Sequence, residues 1–386
     1  MDKYQIQAGI GVEEAEEFLD SLFAGAHSGV PPSQFDRTSV LQLATISGAT
    51  ILADVWAAIL VGTLCRFRKP VTIRAWGLPN TIPPDAEFLR TLPTAASLQE
   101  ATAVIADSGS SPGIDTASLR SRLALENGGL LEPKQTDSRT LIEFDPEYPL
   151  APLLATPESG ARESTRNIRA KLMHFVLTAR RQLEIGARRR MQIPVSAGPA
   201  GNIAKFIAEL HENGRTHGSR GIDSRGVRGV RFVRLRKHVA INKDALIKRC
   251  GSYRAVADYV RHSMPETSSP ALIEASISDF GPGILDGFLS STVSAGYKSE
   301  SRRALLGRIL HEQVSSKAND PGAGLGIPRA LSAARQMGAF VSLRTGEHWL
   351  CAALSNSDHR ERLRDVTETT HSYVAGTHWQ LLWLQP

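Results

Sequence analysis

The stretch from Val40 to Cys65 is mostly apolar and ends on Arg66, Phe67, Arg68 and Lys69. A run of this length has to leave water, either across a bilayer or inside a core. Asp54 in its middle argues against the bilayer, where a carboxylate is expensive, and Gly48 with several Thr and Gln residues interrupts the run. We expect instead a buried strand at Ser39–Thr45 and a buried helix over about 49–67. Lys69-Pro70 then leads into the strand-like Val71-Thr-Ile-Arg-Ala75. The N-terminal residues run into Glu13, Glu14, Glu16 and Glu17, the reverse of a basic and then apolar export signal. Three scattered cysteines, Cys65, Cys250 and Cys351, give neither a zinc spacing nor a disulfide framework. The expectation is a cytoplasmic protein with no membrane segment.

At 386 residues, with 41% hydrophobic and 22% charged residues, the chain has the composition of an ordinary globular protein of two domains or slightly more. Residues 1 to about 95 read as a small α/β unit: an acidic helix near 12–24, the strand at 39–45, the buried helix and the strand at 71–76. Residues 77–140, punctuated by Pro83-Pro84, Ser108–Gly113 and Gly128-Gly129, read as short elements and loops. From Glu163 to Ala187 a helical stripe of Ile168, Leu172, Phe175, Val176, Ala179 and Leu183 faces away from an Arg-rich side that includes His174. We divide the chain into an N-terminal sensory or partner-binding α/β domain (1–160), a connecting amphipathic helix (161–190) and a C-terminal domain (191–386).

Charge is unevenly spread. Lys and Arg number 11 against 20 Asp and Glu in residues 1–160, but 18 against 5 in residues 161–240. The basic block suits nucleic acid, nucleotide phosphates or the acidic part of the same chain. Nucleic acid is the less favoured partner, because no interleaved aromatic residues accompany the basic ones.

Three motifs follow in the C-terminal domain. Glu209-Leu-His-Glu-Asn213-Gly-Arg-Thr-His217 lies on a helix over 202–217 whose buried side is Ile203, Phe206, Ile207 and Leu210. Residues four apart share a face, so Glu209 and Asn213 are neighbours. Asp279-Phe-Gly-Pro-Gly283-Ile ends a strand at 271–279, after a strand over 227–241 that alternates basic and apolar residues. Gly322-Ala-Gly324-Leu325-Gly326-Ile precedes a helix in which Pro328 occupies the first turn. Strands at 339–344 and 379–384 close the chain.

Together these groups suit a nucleotide triphosphate. The amide oxygen of Asn213 is a hard ligand for Mg²⁺, and Glu209 can orient or deprotonate a water or hydroxyl. Asp279 can accept from an adenine amino group, with Gly281 and Gly283 letting the backbone pass close to the base. Gly322, Gly324 and Gly326 supply open N–H groups at a helix N-terminus for the phosphates. Taken alone, D-x-G-x-G is more often a turn and G-x-G-L-G matches many loops; the order and spacing of the three make the case.

This set resembles the GHKL superfamily of ATPases and kinases over residues 165–386. Residues 209–217 look like its N box, 279–284 its first glycine box and 322–327 its second. Gly376-Thr377 with the strand that follows is similar to the family's last strand, in which the threonine supports the adenine-binding Asp. The resemblance implies an α+β fold in the Bergerat form, a mixed, mainly antiparallel sheet with helices on one face. It also implies ATP and Mg²⁺ as ligands, contacts from Leu325, and a lid over about 285–321 in which Lys298, Arg302 and Arg303 are the cations best placed to meet the γ-phosphate, with no choice among them made by the sequence. Glu209 is more similar to the serine-kinase and ATP-hydrolysing branches than to ordinary histidine kinases. The resemblance implies a regulatory component with a protein partner or substrate, a homodimer being one form. The front of the chain bears a fainter likeness to STAS domains, which makes Ser47 a phosphoacceptor candidate; an N-cap is the plainer role for it. Two further readings stand beside this one: an atypical histidine kinase using His174, and a nucleotide-switched ATPase of a multi-protein or nucleic-acid-associated bacterial system.

Overall fold

A computed structural model of the chain describes residues 2–6, 9–23, 39–43, 50–67, 71–75, 101–106, 114–115, 130–131, 138–144, 172, 174–176, 197–217, 230–264, 270–297, 299–312, 314–315, 324–355, 361–366 and 371–385. The front of the chain runs β1 (Asp2–Ile6), α1 (Val12–Leu22), β2 (Ser39–Leu43), α2 (Ala53–Phe67), β3 (Val71–Ala75), β4 (Ala101–Ala106) and β5 (Ile114–Asp115). These strands form a five-stranded sheet in sequence order. β1 to β4 are parallel and β5 turns back antiparallel. Parallel strands need crossovers, which are right-handed, so α1 and α2 fall on one face of this sheet.

The second sheet is built from β6 (Leu130–Leu131), β7 (Ser138–Phe144), β8 (Val230–Val239), β9 (Ala271–Asp279), β10 (Phe340–Gly346), β11 (His348–Ala353), β12 (Arg364–Asp365) and β13 (Val374–Gln385). Its order is β12-β11-β10-β13-β9-β8-β7-β6, and every neighbouring pair is antiparallel. The expected α+β class is therefore found, with a wholly antiparallel sheet among the described residues. Leu130–Leu131 and Ser138–Phe144, which we placed in the N-terminal domain, belong to this sheet. α3 (Ala197–His217), α4 (Lys243–Lys248), α5 (Arg254–Ser263), α6 (Ile284–Leu289), α7 (Arg302–His311) and α8 (Gly326–Gln336) complete the elements, with a 3-10 turn at Thr292–Tyr297.

Helices cover both faces of the eight-stranded sheet, not one. α3 and α8 pack on the face carrying Val233, Leu235, Ile277, Leu343 and Trp379, joined by Leu172 and Val176 of the short helical stretch before them. Small residues on α8, namely Ala330, Ala333 and Ala334, allow close approach. α1, α2 and α5 cover the opposite face, against Phe232, Leu272, Phe340 and Leu382. α2 is thus enclosed between the two sheets, and every one of its residues except Arg66 is buried. A helix apolar all round belongs in such a place, which is why the Val40–Cys65 stretch reads like a membrane span. No helix among the described residues is long and apolar enough to cross a membrane.

The strand period of two explains the rest. In β8 the odd positions Val233 and Leu235 face α3, while Arg234, Arg236 and His238 face α2. The basic side of this alternating strand is buried rather than solvated. Arg234 and Arg236 donate to Asp54 Oδ2 at 2.6 and 3.2 Å. His238 lies 2.8 Å from Glu274 Oε2, and the Leu52 amide donates to the same oxygen at 3.4 Å. Burial opposes ionisation of Glu274, but the bond from His238 and the charge of Arg234 outweigh it and hold the carboxyl at about 2. Arg344 on β10, fully buried, donates to both oxygens of Glu16 on α1 at 3.0 and 3.2 Å. Part of the charge asymmetry seen along the sequence is therefore internal: Asp54 of the N-terminal unit meets Arg234 and Arg236 of the sheet, and Glu16 meets Arg344.

Candidate functional site

One register row crosses four strands and builds one wall of a cleft. Arg231 on β8 pairs with Asp279 on β9, Asp279 with Thr377 on β13, and Thr377 with Thr345 on β10. Directly opposed residues point to the same side of a sheet, here the α3 side. Asp279 lies nearly buried at the end of β9, and its Oδ1 accepts the Gly281 amide at 3.0 Å. That bond fixes the carboxylate while Oδ2 faces Gly214 of α3, where a Cβ would come within 3.4 Å of it.

The opposite wall is α3 against α8. Gly326, the first residue of α8, has Asn213 and Glu209 as its neighbours: a Cβ there would meet Asn213 Nδ2 at 3.2 Å, Asn213 Oδ1 at 3.3 Å and Glu209 Oε2 at 3.6 Å. A helix N-terminus with its free N–H groups is thereby set beside an amide oxygen and a carboxylate. Leu325 precedes this helix and its carbonyl accepts the Arg329 amide at 3.0 Å. The cleft between the walls is partly open to solvent. Asn213, Gly214, Asp279, Gly283, Gly324, Gly326 and Thr377 line it together with apolar groups from Leu210, Ile277 and Trp379.

The first glycine box is held from below by Thr345. Its Oγ1 accepts the Ile284 amide at 3.0 Å and donates to the Gly376 carbonyl at 3.1 Å. Gly283 (φ 84°) and Gly376 (φ 89°) adopt the left-handed region that favours glycine. Neither has room for a side chain: a Cβ on Gly283 would sit 2.9 Å from Thr345 Oγ1, and one on Gly376 would overlap the Asp279 carbonyl.

Of the residues expected from the sequence, the structure gathers Glu209, Asn213, Asp279, Gly283, Gly324, Gly326 and Thr377 around one cleft. Gly281 acts through its bond to Asp279. Lys298 and Gly322 lie outside the described residues, as does Ser47. The segment expected to form the lid contributes α6, the 3-10 turn and α7, which share a small core of Leu285, Phe288, Leu305 and Ile309. Two of its cations make ion pairs. Arg302 donates to Glu347 at 2.6 and 3.3 Å and to Asp286 at 2.8 Å, and Arg303 lies 2.6 Å from Asp365. His174 is exposed on its helical stretch, as expected.

Sequence reasoning missed Thr345, Ile277, Phe288 and Ile309. For Ile277 the signal was available, since it precedes Asp279 by two positions on a strand and so shares its face. No local pattern marks Thr345, whose role arises from pairing across β10 and β13. No protein-family model matches this chain, and no curated protein matches it significantly.

Proposed function

We propose that this cleft binds Mg-ATP and that the protein is an ATPase or protein kinase of GHKL type, a cytoplasmic regulatory component working with a protein partner or substrate. The observation that carries this reading is the seating of Gly326, at the head of α8, on Asn213 and Glu209, while Asp279 and Thr377 open on the same cleft. The donor set fits the ligand. Among the described residues no three His, Cys, Asp or Glu side chains cluster as a metal cage. Mg²⁺ needs none, since it commonly takes one or two protein ligands and completes its shell with phosphate and water. Asn213 would hold it, and the metal would offset phosphate charge.

The chain's own groups then divide the work. The α8 N-terminus binds phosphate through backbone N–H groups. The Asp279 carboxylate, kept in place by the Gly281 amide, accepts a hydrogen bond from the adenine amino group. Leu210, Ile277 and Trp379 exclude water from the base. Glu209, 7% exposed on α3, takes or orients the proton of the attacking water or hydroxyl.

Titration calorimetry and a phosphate-release assay with Mg-ATP test this on the full chain. Asp279→Asn abolishes binding, whereas Glu209→Ala binds but turns over about 10²–10⁴-fold more slowly. Unchanged affinity in Asp279→Asn would overturn the assignment.

A further inference from the structure

The base end of the cleft rests on a part of the chain far from the three motifs. On β13, Thr377 pairs with Thr345 and Val374 with Gly346, so Ala375 and Gly376 are extra residues in a bulge opposite the Thr345/Gly346 step. Bulges interrupt the ladder and leave backbone groups to be satisfied by other means. Here three side chains take them. Thr63 Oγ1 of α2 accepts the Ala375 amide at 3.1 Å. His378 Nε2 donates to the Ala375 carbonyl at 2.8 Å, and Thr345 donates to the Gly376 carbonyl at 3.1 Å.

The residue before Thr63 meets the other side of the same site. Phe280, directly after Asp279, is 1% exposed and its ring fills the notch left by Gly62, where any Cβ would overlap it. A glycine inside a helix costs about 1 kcal/mol against alanine, and the Phe280 ring is the local reason for this one. α2 itself is fixed to the sheet through Asp54. One step of α2, Gly62-Thr63, therefore touches both segments that flank Asp279: the glycine box through Phe280 and the last strand through Ala375.

We infer that Gly62 and Thr63 are positioning residues of the nucleotide site, supplied by the N-terminal unit, so that nucleotide occupancy and the packing of α2 are coupled. The inference rests on the Mg-ATP reading of the cleft. Coupling between two places is reciprocal: a partner that shifts α2 changes affinity for nucleotide, and nucleotide steadies α2.

The test uses the full chain and Mg-ATP, with calorimetry on Thr63→Val and Thr63→Ser and with hydrogen exchange. Thr63→Val keeps the shape but loses the acceptor; it weakens Mg-ATP by about tenfold, within the usual range of coupling, while Thr63→Ser stays within about twofold of wild type. A role confined to stability would lower the unfolding temperature and leave affinity unchanged. Mg-ATP slows amide exchange across 53–67 as well as across 279–286 and 374–379. If exchange slows at 279–286 and 374–379 but not at 53–67, or if Thr63→Val binds like wild type, the coupling is wrong and the nucleotide site stands. If Mg-ATP gives neither heat nor protection anywhere, the cleft is not an ATP site and the coupling falls with it.

Discussion

Arg234 Nη2 on β8 and Asp54 Oδ2 on α2 lie 2.6 Å apart although 180 residues separate them in sequence. Both side chains are almost fully buried, and Arg236 shares the same oxygen. This contact fastens the N-terminal unit to the sheet that carries the candidate site.

Removing that carboxylate leaves two buried guanidinium groups without it. Breaking a buried pair from one side costs about 3–5 kcal/mol, so Asp54→Asn lowers the unfolding free energy by about that amount in urea titrations. A triple replacement of Asp54, Arg234 and Arg236 by leucine recovers only part of the loss, because the buried Glu274 then keeps His238 but loses both nearby guanidinium charges. A loss below about 1 kcal/mol for Asp54→Asn would mean the pair is well solvated.

Arg302 ties α7 to α6 through Asp286 and to the β10–β11 turn through Glu347, the latter with two hydrogen bonds. Arg302→Ala leaves both acids without this donor, at a cost of about 1–3 kcal/mol. The effect is local: proteolysis and amide exchange accelerate over 284–311 and stay at wild-type rates in α3. Arg302→Lys does not restore the wild-type pattern, since an ammonium cannot reproduce the planar fork.

Stability falls in mild acid. Burial pulls the pKa of His378 down to about 3, against the opposing influence of its bond to the Ala375 carbonyl, and burial also lowers that of His238. The unfolded chain protonates these rings near 6.5, while the folded chain refuses the proton, so stability is full above about 6.5 and declines as pH drops. His378 alone removes about 2 kcal/mol between pH 7.5 and 5.0. Below about 4.5 Glu274, held at about 2 in the fold, adds a loss of the same sign. Urea midpoints across this range check the slope, which is shallower in His378→Gln; a flat profile in wild type would refute the account.

Gln380 is completely buried on the sheet face beneath α1 and α2, and neither end of its amide has a hydrogen-bond partner among the described residues. Unsatisfied polar groups are expensive to bury, so Gln380→Met raises the unfolding free energy by about 1–2 kcal/mol. A destabilised Gln380→Met protein would show that ordered water completes this amide.

Much of the site was legible because its parts are local. Glu209 and Asn213 share a helix face by their spacing of four, Asp279 ends an alternating strand, and Gly326 heads a helix. Helix and strand spans such as Val12–Leu22, Ser39–Leu43 and Ala271–Asp279 follow from periodicity for the same reason. The pairing of β7 was less so: its first residues, 138–140, read as the end of a loop-rich stretch, because only its partner β8 makes it a strand of that sheet.

The sequence by itself determined which faces are apolar, where the glycines must stand and in what order the site's groups arrive, since each depends on the backbone geometry of a few neighbouring residues. Only the tertiary structure decided that the basic side of β8 meets Asp54 rather than solvent or nucleic acid. The same holds for Arg302, which ties α7 to α6 and to the β10–β11 turn. It holds again for Gly62 and Thr63, which reach the site from over 200 residues away in sequence, through Phe280 and Ala375. Periodicity shows that a side chain is polar or a position small, but charge neutralisation and close approach are settled by whichever distant segment folds against it.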